Sequence, residues 1–195
     1  MNIQSLCVYC GSSLGRNGVY GRAARDLARA LVERGIRLVY GGASVGVMGA
    51  IADEVLRLGG RAIGVIPEAL ERKELAHQHL TEIHVTSSMH ERKSLMADLS
   101  DGFVALPGGI GTLEEIFEAW TWGQLGLHRK PCGLLNIGGY FEELSAFLDH
   151  ALDEEFISEP HRRMLVVADT PDALLDRFEA YAPPVVTKWI ERGET

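Results

Sequence analysis

Three side chains stand where type and spacing could do chemistry: Arg92 and Lys93 near the start of one amphipathic segment, and Glu115, next to Glu114, just inside another. The two carboxylates follow the run Gly108-Gly109-Ile110-Gly111-Thr112, which succeeds a short apolar stretch, Phe103 to Leu106, closed by Pro107. Beyond the glycines, Leu113, Ile116, Phe117 and Trp120 recur at i, i+3, i+4 and i+7, the spacing of one helix face. A strand that turns through glycines into a helix makes an anion site. The N–H groups of the first turn lack helical acceptors, the helix dipole favours negative charge there, and glycine lets the backbone come close. Thr112 can add a hydroxyl and an N–H. The chemistry expected is phosphate binding, with a reaction beside the phosphate.

Each of these residues also has a purely structural explanation. Thr112-Leu113-Glu114-Glu115 fits a capping box, in which the glutamate bonds back to the cap residue's backbone. The functional alternative is a carboxylate one turn from a bound phosphate, which calls for positive charge nearby. Ser88-Met89-His90-Glu91 repeats the box pattern and predicts a helix from Ser88 to Leu99 with the stripe Leu95, Met96 and Leu99. Arg92 falls in line with that stripe, near the positive end of its helix, and both placements favour an anionic partner over a side chain that merely reaches solvent. Lys93 and Glu74 are ambiguous on their own, since a solvated lysine and an exposed helix charge would explain them equally well, and Thr121 alone reads better as a packing threonine.

Other chemistries lose their marks. There is no G-x-x-x-x-G-K-[ST], and the first strand is followed by Gly11-Ser12-Ser13-Leu14-Gly15 rather than G-x-G-x-x-G. None of the seven histidines stands in a zinc-ligand pattern, so no metal is expected. Cys7 and Cys10 have C-x-x-C spacing but lie in an apolar strand without a second pair, and buried neutral thiols are expected. The chain's four lysines include none in a context that argues for a Schiff base with pyridoxal phosphate. A net charge of −8 argues against a nucleic-acid partner, while leaving room for a small anion held by local positive groups. No secretion-signal pattern opens the chain and no apolar run reaches membrane length, so a cytoplasmic location is expected.

The elements that must position these residues alternate regularly. Strands are expected at Ile3 to Cys10, Ile36 to Tyr40, Ala62 to Ile66, Glu82 to Thr86, Phe103 to Leu106, Cys132 to Asn136 and Leu165 to Ala168, with helical spacing between most of them. Near-continuous apolar strands alternating with helices predict a Rossmann-like, doubly wound parallel α/β sheet of about seven strands, formed by one domain over residues 1–195. In such sheets ligands bind beyond the carboxyl ends of the strands. The glycine turns after the first, second and fifth strands, the polar stretch from Glu68 to Leu80 and the start of the Ser88 helix would all lie at that edge. Thr170-Pro171 opens a further helix, and Pro183-Pro184 precedes a short tail expected to be helical.

Pro107-Gly108-Gly109-Ile110-Gly111-Thr112-Leu113-Glu114-Glu115 resembles the P-G-G-x-G-T-x-x-E signature of the LOG (LONELY GUY) family, cytokinin riboside 5′-monophosphate phosphoribohydrolases often mislabelled lysine decarboxylases. Met89-His90-Glu91-Arg92-Lys93 is similar to that family's M-H-x-R-K element, and Cys10 to Ser13 and Tyr40 to Gly49 to its first two turns; the likeness runs from about Ile3 to Ala151. The resemblance implies hydrolysis of the N-glycosidic bond of an adenine-type nucleoside 5′-monophosphate, with no cofactor. Arg92 and Glu115 would be the catalytic pair, and Gly108, Gly109, Ile110, Gly111 and Thr112 would hold the phosphate. Leu113 and Glu114 fall within the same signature, while Lys93, Glu74 and Thr121 would join the nucleotide pocket. It also implies at least a homodimer, with sites near the subunit interface. A non-catalytic nucleotide or molybdenum-cofactor carrier on the same fold is the alternative.

Overall fold

The computed structural model describes residues 2–71 and 76–184. Its seven strands are β1 (Ser5–Tyr9), β2 (Arg37–Tyr40), β3 (Ala62–Pro67), β4 (Glu82–Thr86), β5 (Gly102–Ala105), β6 (Cys132–Leu135) and β7 (Leu165–Ala168). They form one sheet in the order β4-β3-β2-β1-β5-β6-β7, and every neighbouring pair is parallel. Winding runs outward from β1 to one edge and from β5 to the other, so the crevice between the ends of β1 and β5 is the topological switch point.

The alternation along β1 shows how both faces become core. Leu6 and Val8 join one cluster, Cys7 and Tyr9 the other. The first face carries α1 (Val19–Glu33), α2 (Gly46–Arg57) and α8 (Pro171–Glu179). The opposite face carries α4 (Met89–Asp98), α5 (Ile110–Gln124) and α6 (Glu142–Asp153). Two short helices, α3 (Glu68–Glu71) and α7 (Glu159–Arg162), complete the described set. β4 departs from the expectation of strands apolar on both faces: it lies at the sheet's edge, and Ile83 and Val85 are exposed. The tail expected to be helical begins outside the described residues from 185 onward. Cys7, Cys10 and Cys132 are buried free thiols, and burial pushes Cys7 up to about 12.

Helix starts are set by local bonds where the sequence offers them. Thr170 Oγ1 accepts the Ala173 N–H at 3.3 Å, with Pro171 at the first helical position of α8. Ser88 Oγ accepts the Glu91 N–H at 3.1 Å and starts α4, but Glu91 closes on the residue before the cap, accepting from both N and Oγ of Ser87 at 2.7 Å. No helix among the described residues is long and apolar enough to cross a membrane.

Candidate active site

Of the two readings of Glu115, the capping box at Thr112 does not form. α5 starts earlier, at Ile110, with Gly109 as its cap residue and no side-chain cap. Gly108 and Gly109 are therefore the loop, and Ile110, Gly111 and Thr112 are the first helical turn. The first helical bond runs from Leu113 N–H to Gly109 O at 3.2 Å, so the three amides before it have no helical acceptor. Leu113 packs against the core, while Thr112 is buried with its hydroxyl turned back over the loop. A Cβ on Gly108 would stand 2.1 Å from Thr112 Oγ1 and 2.9 Å from the Gly11 nitrogen, and glycine is the one residue that fits.

The glycine turns interlock. Gly11 N–H donates to Pro107 O at 3.3 Å, and Val47 N–H donates to Gly11 O at 3.0 Å. Gly46 sits at φ +61° with the Ser12-Ser13 backbone where its side chain would be. The ends of β1, β2 and β5 thus form one floor, as the strand-edge expectation required.

Glu115, released from any capping role, faces Arg92. Because Ser88 fixes the start of α4, Arg92 lies one turn before Met96 on the buried face and is itself buried. Its Nη1 donates to Glu115 Oε1 at 2.8 Å and its Nε to the Val65 carbonyl at 3.0 Å. A Cβ at Gly41 would lie 2.3 Å from Arg92 Nη2, so the guanidinium rests on the bare backbone of the second glycine turn. The side chains of both partners are nearly out of solvent, 9% and 12% exposed. Burial drives the Glu115 carboxyl above its ordinary value of 4.5, and the Arg92 charge opposes but does not cancel that effect.

Lys93 leans the other way, to Glu114 Oε1 at 2.7 Å and Glu118 Oε2 at 2.9 Å. Burial works to lower its pKa, and the two carboxylates overcome this and raise it. Glu118 had no distinguishing mark in the sequence, since an acidic residue on a helix face is ordinary; Gly41 and the Val65 carbonyl are tertiary neighbours that no spacing reveals.

Two expected residues are not brought into this cluster. Thr121 is exposed and its hydroxyl donates to Phe117 O at 2.7 Å on its own helix. Glu74 lies outside the described residues. The chain flanking it is tied to the second glycine turn, through the Ala43–Ala76 bridge and the His77 N–H donating to Gly42 O at 2.8 Å. A cavity of about 310 Å³ opens beside the loop, bordered by Ser12, Ser13, Tyr20, Gly108, Gly109 and Tyr140. A larger one, about 370 Å³, lies between α4 and α5 against Ser94, Trp122 and Lys130, and neither Arg92 nor Glu115 lines it. Among the described residues no group of three or more His, Cys, Asp or Glu is arranged to hold a metal.

A family model described as "Possible lysine decarboxylase" matches residues 48–178. A "Probable cytokinin riboside 5'-monophosphate phosphoribohydrolase" of Oryza sativa subsp. japonica is 51% identical over 179 residues, covering 92% of this chain and 73% of that one. A second protein of that organism, named a cytokinin riboside 5'-monophosphate phosphoribohydrolase, is 48% identical over 91% of this chain and 74% of its own length. An Arabidopsis thaliana protein of the same name is 48% identical over 91% of this chain and 83% of its own. Among solved structures, a molybdenum cofactor binding protein from Rippkaea orientalis superposes with a TM-score of 0.69 at 22% identity, over 92% of this chain and 98% of that one. At that identity the likeness establishes the fold alone.

Proposed function

We propose the function from one premise: this chain belongs to the LOG family of cytokinin riboside 5′-monophosphate phosphoribohydrolases. It is an N-glycosyl hydrolase that cleaves adenine-type nucleoside 5′-monophosphates, N6-prenylated AMP, AMP or both, to free base and ribose 5-phosphate. The observation that carries this reading to the level of residues is the buried 2.8 Å pairing of Arg92 with Glu115 beside the glycine loop.

The chemistry follows from charge. Breaking the bond between base and C1′ leaves positive charge on the ribosyl carbon and ring oxygen, and sends the electron pair to the base. Glu115, ionised, stabilises that cation and orients or deprotonates the water whose oxygen attacks C1′; the base leaves with a proton. The amides of Gly109, Ile110, Gly111 and Thr112 hold the 5′-phosphate, and its binding energy orients the reacting carbon. Arg92, steered by the Val65 carbonyl, offsets phosphate charge and positions the sugar. Guanidinium is a poor proton donor near neutrality, so protonation of the base is not assigned to it. Lys93 and Glu114 border the nucleotide, Glu74 is kept as a pocket residue, and Thr121 joins the pocket of the partner subunit rather than that of its own chain. The reading includes one domain over residues 1–195, a homodimer and a cytoplasmic location.

Incubation of the pure protein with AMP and with N6-isopentenyl-AMP, followed by chromatography, tests it. Release of free base in equal amount to ribose 5-phosphate is expected. Glu115→Gln is expected to lower turnover by at least about a hundredfold while nucleotide still binds. Intact nucleotide recovered from the wild-type incubation would point instead to a carrier, and near-normal turnover in the variant would remove Glu115 from the mechanism.

A further inference from the structure

An amide loop binds an anion only if its peptide planes face the right way. The peptide joining Gly108 to Gly109 has a glycine on either side, so little opposes its rotation. A trans peptide is planar and holds its C=O and N–H pointing in opposite directions. If this plane turned over, the Gly108 oxygen would replace the Gly109 N–H at the mouth of the loop, and a carbonyl dipole would repel the phosphate that the amide should attract.

The structure holds this plane from outside the loop. Tyr140 Oη donates to Gly108 O at 2.6 Å. Tyr140 arrives there from the end of β6, across a short 3-10 turn whose Gly138 and Gly139 have φ of +60° and +75°. Asn136 braces the turn: its Oδ1 accepts the Phe141 N–H at 2.7 Å, and its Nδ2 donates to Asp169 at 3.1 Å. The phenol ring, 43% exposed, packs edge-on against Tyr20, at 5.5 Å, and Phe141, at 5.0 Å. Tyr20 in turn occupies the space where Gly15 would carry a Cβ.

We propose that Tyr140 is a positioning residue for the phosphate. By holding the Gly108 carbonyl outward, its hydroxyl keeps the Gly109 N–H turned toward the anion. The claim rests on the phosphoribohydrolase reading of the same site and adds to it a residue outside the signature motifs. Its consequence is specific to the 5′-phosphate, because the lock acts on the loop and not on Arg92 or Glu115.

Tyr140→Phe keeps the ring and removes the bond. The expected result is a KM for the nucleoside monophosphate raised about three- to tenfold, the range of one lost hydrogen bond, with kcat within about twofold. Slow turnover of the corresponding nucleoside, which has no phosphate, stays unchanged, and so does the melting temperature. Titration of ribose 5-phosphate reads the loop without any bond being broken: weaker binding to the variant supports the proposal, and equal binding overturns it. A fall in kcat alone, or an equal loss on the nucleoside, also overturns it. The hydrolase reading has its own readout in the wild-type protein, release of free base, and its failure leaves the titration to decide the role of Tyr140.

Discussion

A glutamate buried beside an arginine titrates under opposed influences, and here they can be separated by neighbour. Burial raises the Glu115 pKa above its usual 4.5, Arg92 and Lys93 lower it, and Glu114 raises it again. Ionised Glu115 is the form that the proposed mechanism uses, so the acid limb of kcat/KM should lie at higher pH than for an ordinary glutamate. Glu114→Gln removes a raising charge and leaves Lys93 with less opposing charge, and both changes act in the same direction. A pH profile of the variant should show the acid limb displaced to lower pH; displacement upward would mean that some other group sets it. Stability carries the opposite sign. A carboxyl whose native pKa is raised binds its proton more readily folded than unfolded, so its contribution is full below the ordinary glutamate value of 4.5 and is lost as pH rises through the native pKa. Poising this carboxylate for chemistry thus weakens the fold near neutrality.

The connection between α5 and β6 supplies a test at the scale of elements. His128 is half-buried against Phe103, its ring N–H donating to Ala119 O at 2.8 Å through Nε2, while Nδ1 accepts the Lys130 N–H at 3.1 Å. Only the neutral ring with its proton on Nε2 satisfies both partners. Burial lowers its pKa from 6.5 to about 4; the hydrogen bond to the Ala119 carbonyl opposes this, and the Lys130 charge adds the smallest, lowering effect. The unfolded chain therefore binds a proton that the folded chain refuses. Stability is full above 6.5 and declines as pH falls toward 4, by about 3 kcal/mol in all for this one group. Urea unfolding at a series of pH values should show that slope, and His128→Gln should flatten it; an unchanged slope would assign the acid sensitivity elsewhere. The same scale explains what could be read from sequence. Parallel strands covered on both faces are near-continuous apolar runs, which is why all seven were legible, even the edge strand β4. The four-residue helices α3 and α7 are too short to show a period. The start of α5 was misplaced because Thr112 and Glu115 have capping-box spacing, whereas the actual cap, Gly109, has no side chain to announce it. Arg92 could be singled out because it interrupts an apolar stripe. Gly41, Val65 and Tyr140 could not, because their relation to the cluster is made only when distant turns meet, and a backbone carbonyl has no signature.

At the scale of the whole molecule, the make-up of the pocket turns on where Thr121 lies. Thr121 lies six residues beyond Glu115 on α5, which turns it about 120° away and carries it about 9 Å along the axis. Within one chain it is exposed and faces away from the Arg92–Glu115 pair, so as a pocket residue it needs another way in. A two-fold assembly provides one, since an isologous contact can place a residue of each chain at the other's site. The prediction is complementation. A Glu115→Gln chain keeps its threonine, and a Thr121→Ala chain keeps its glutamate. When the two are co-expressed, half of the dimers should be mixed, and each mixed dimer should contain one site with both residues intact. Activity should then recover to about one quarter of the wild-type value, above the average of the two parent variants. Sedimentation should give twice the 21.4 kDa chain mass. Activity equal to the average of the parents would return Thr121 to the chain that bears it, and a monomer would exclude a shared site altogether.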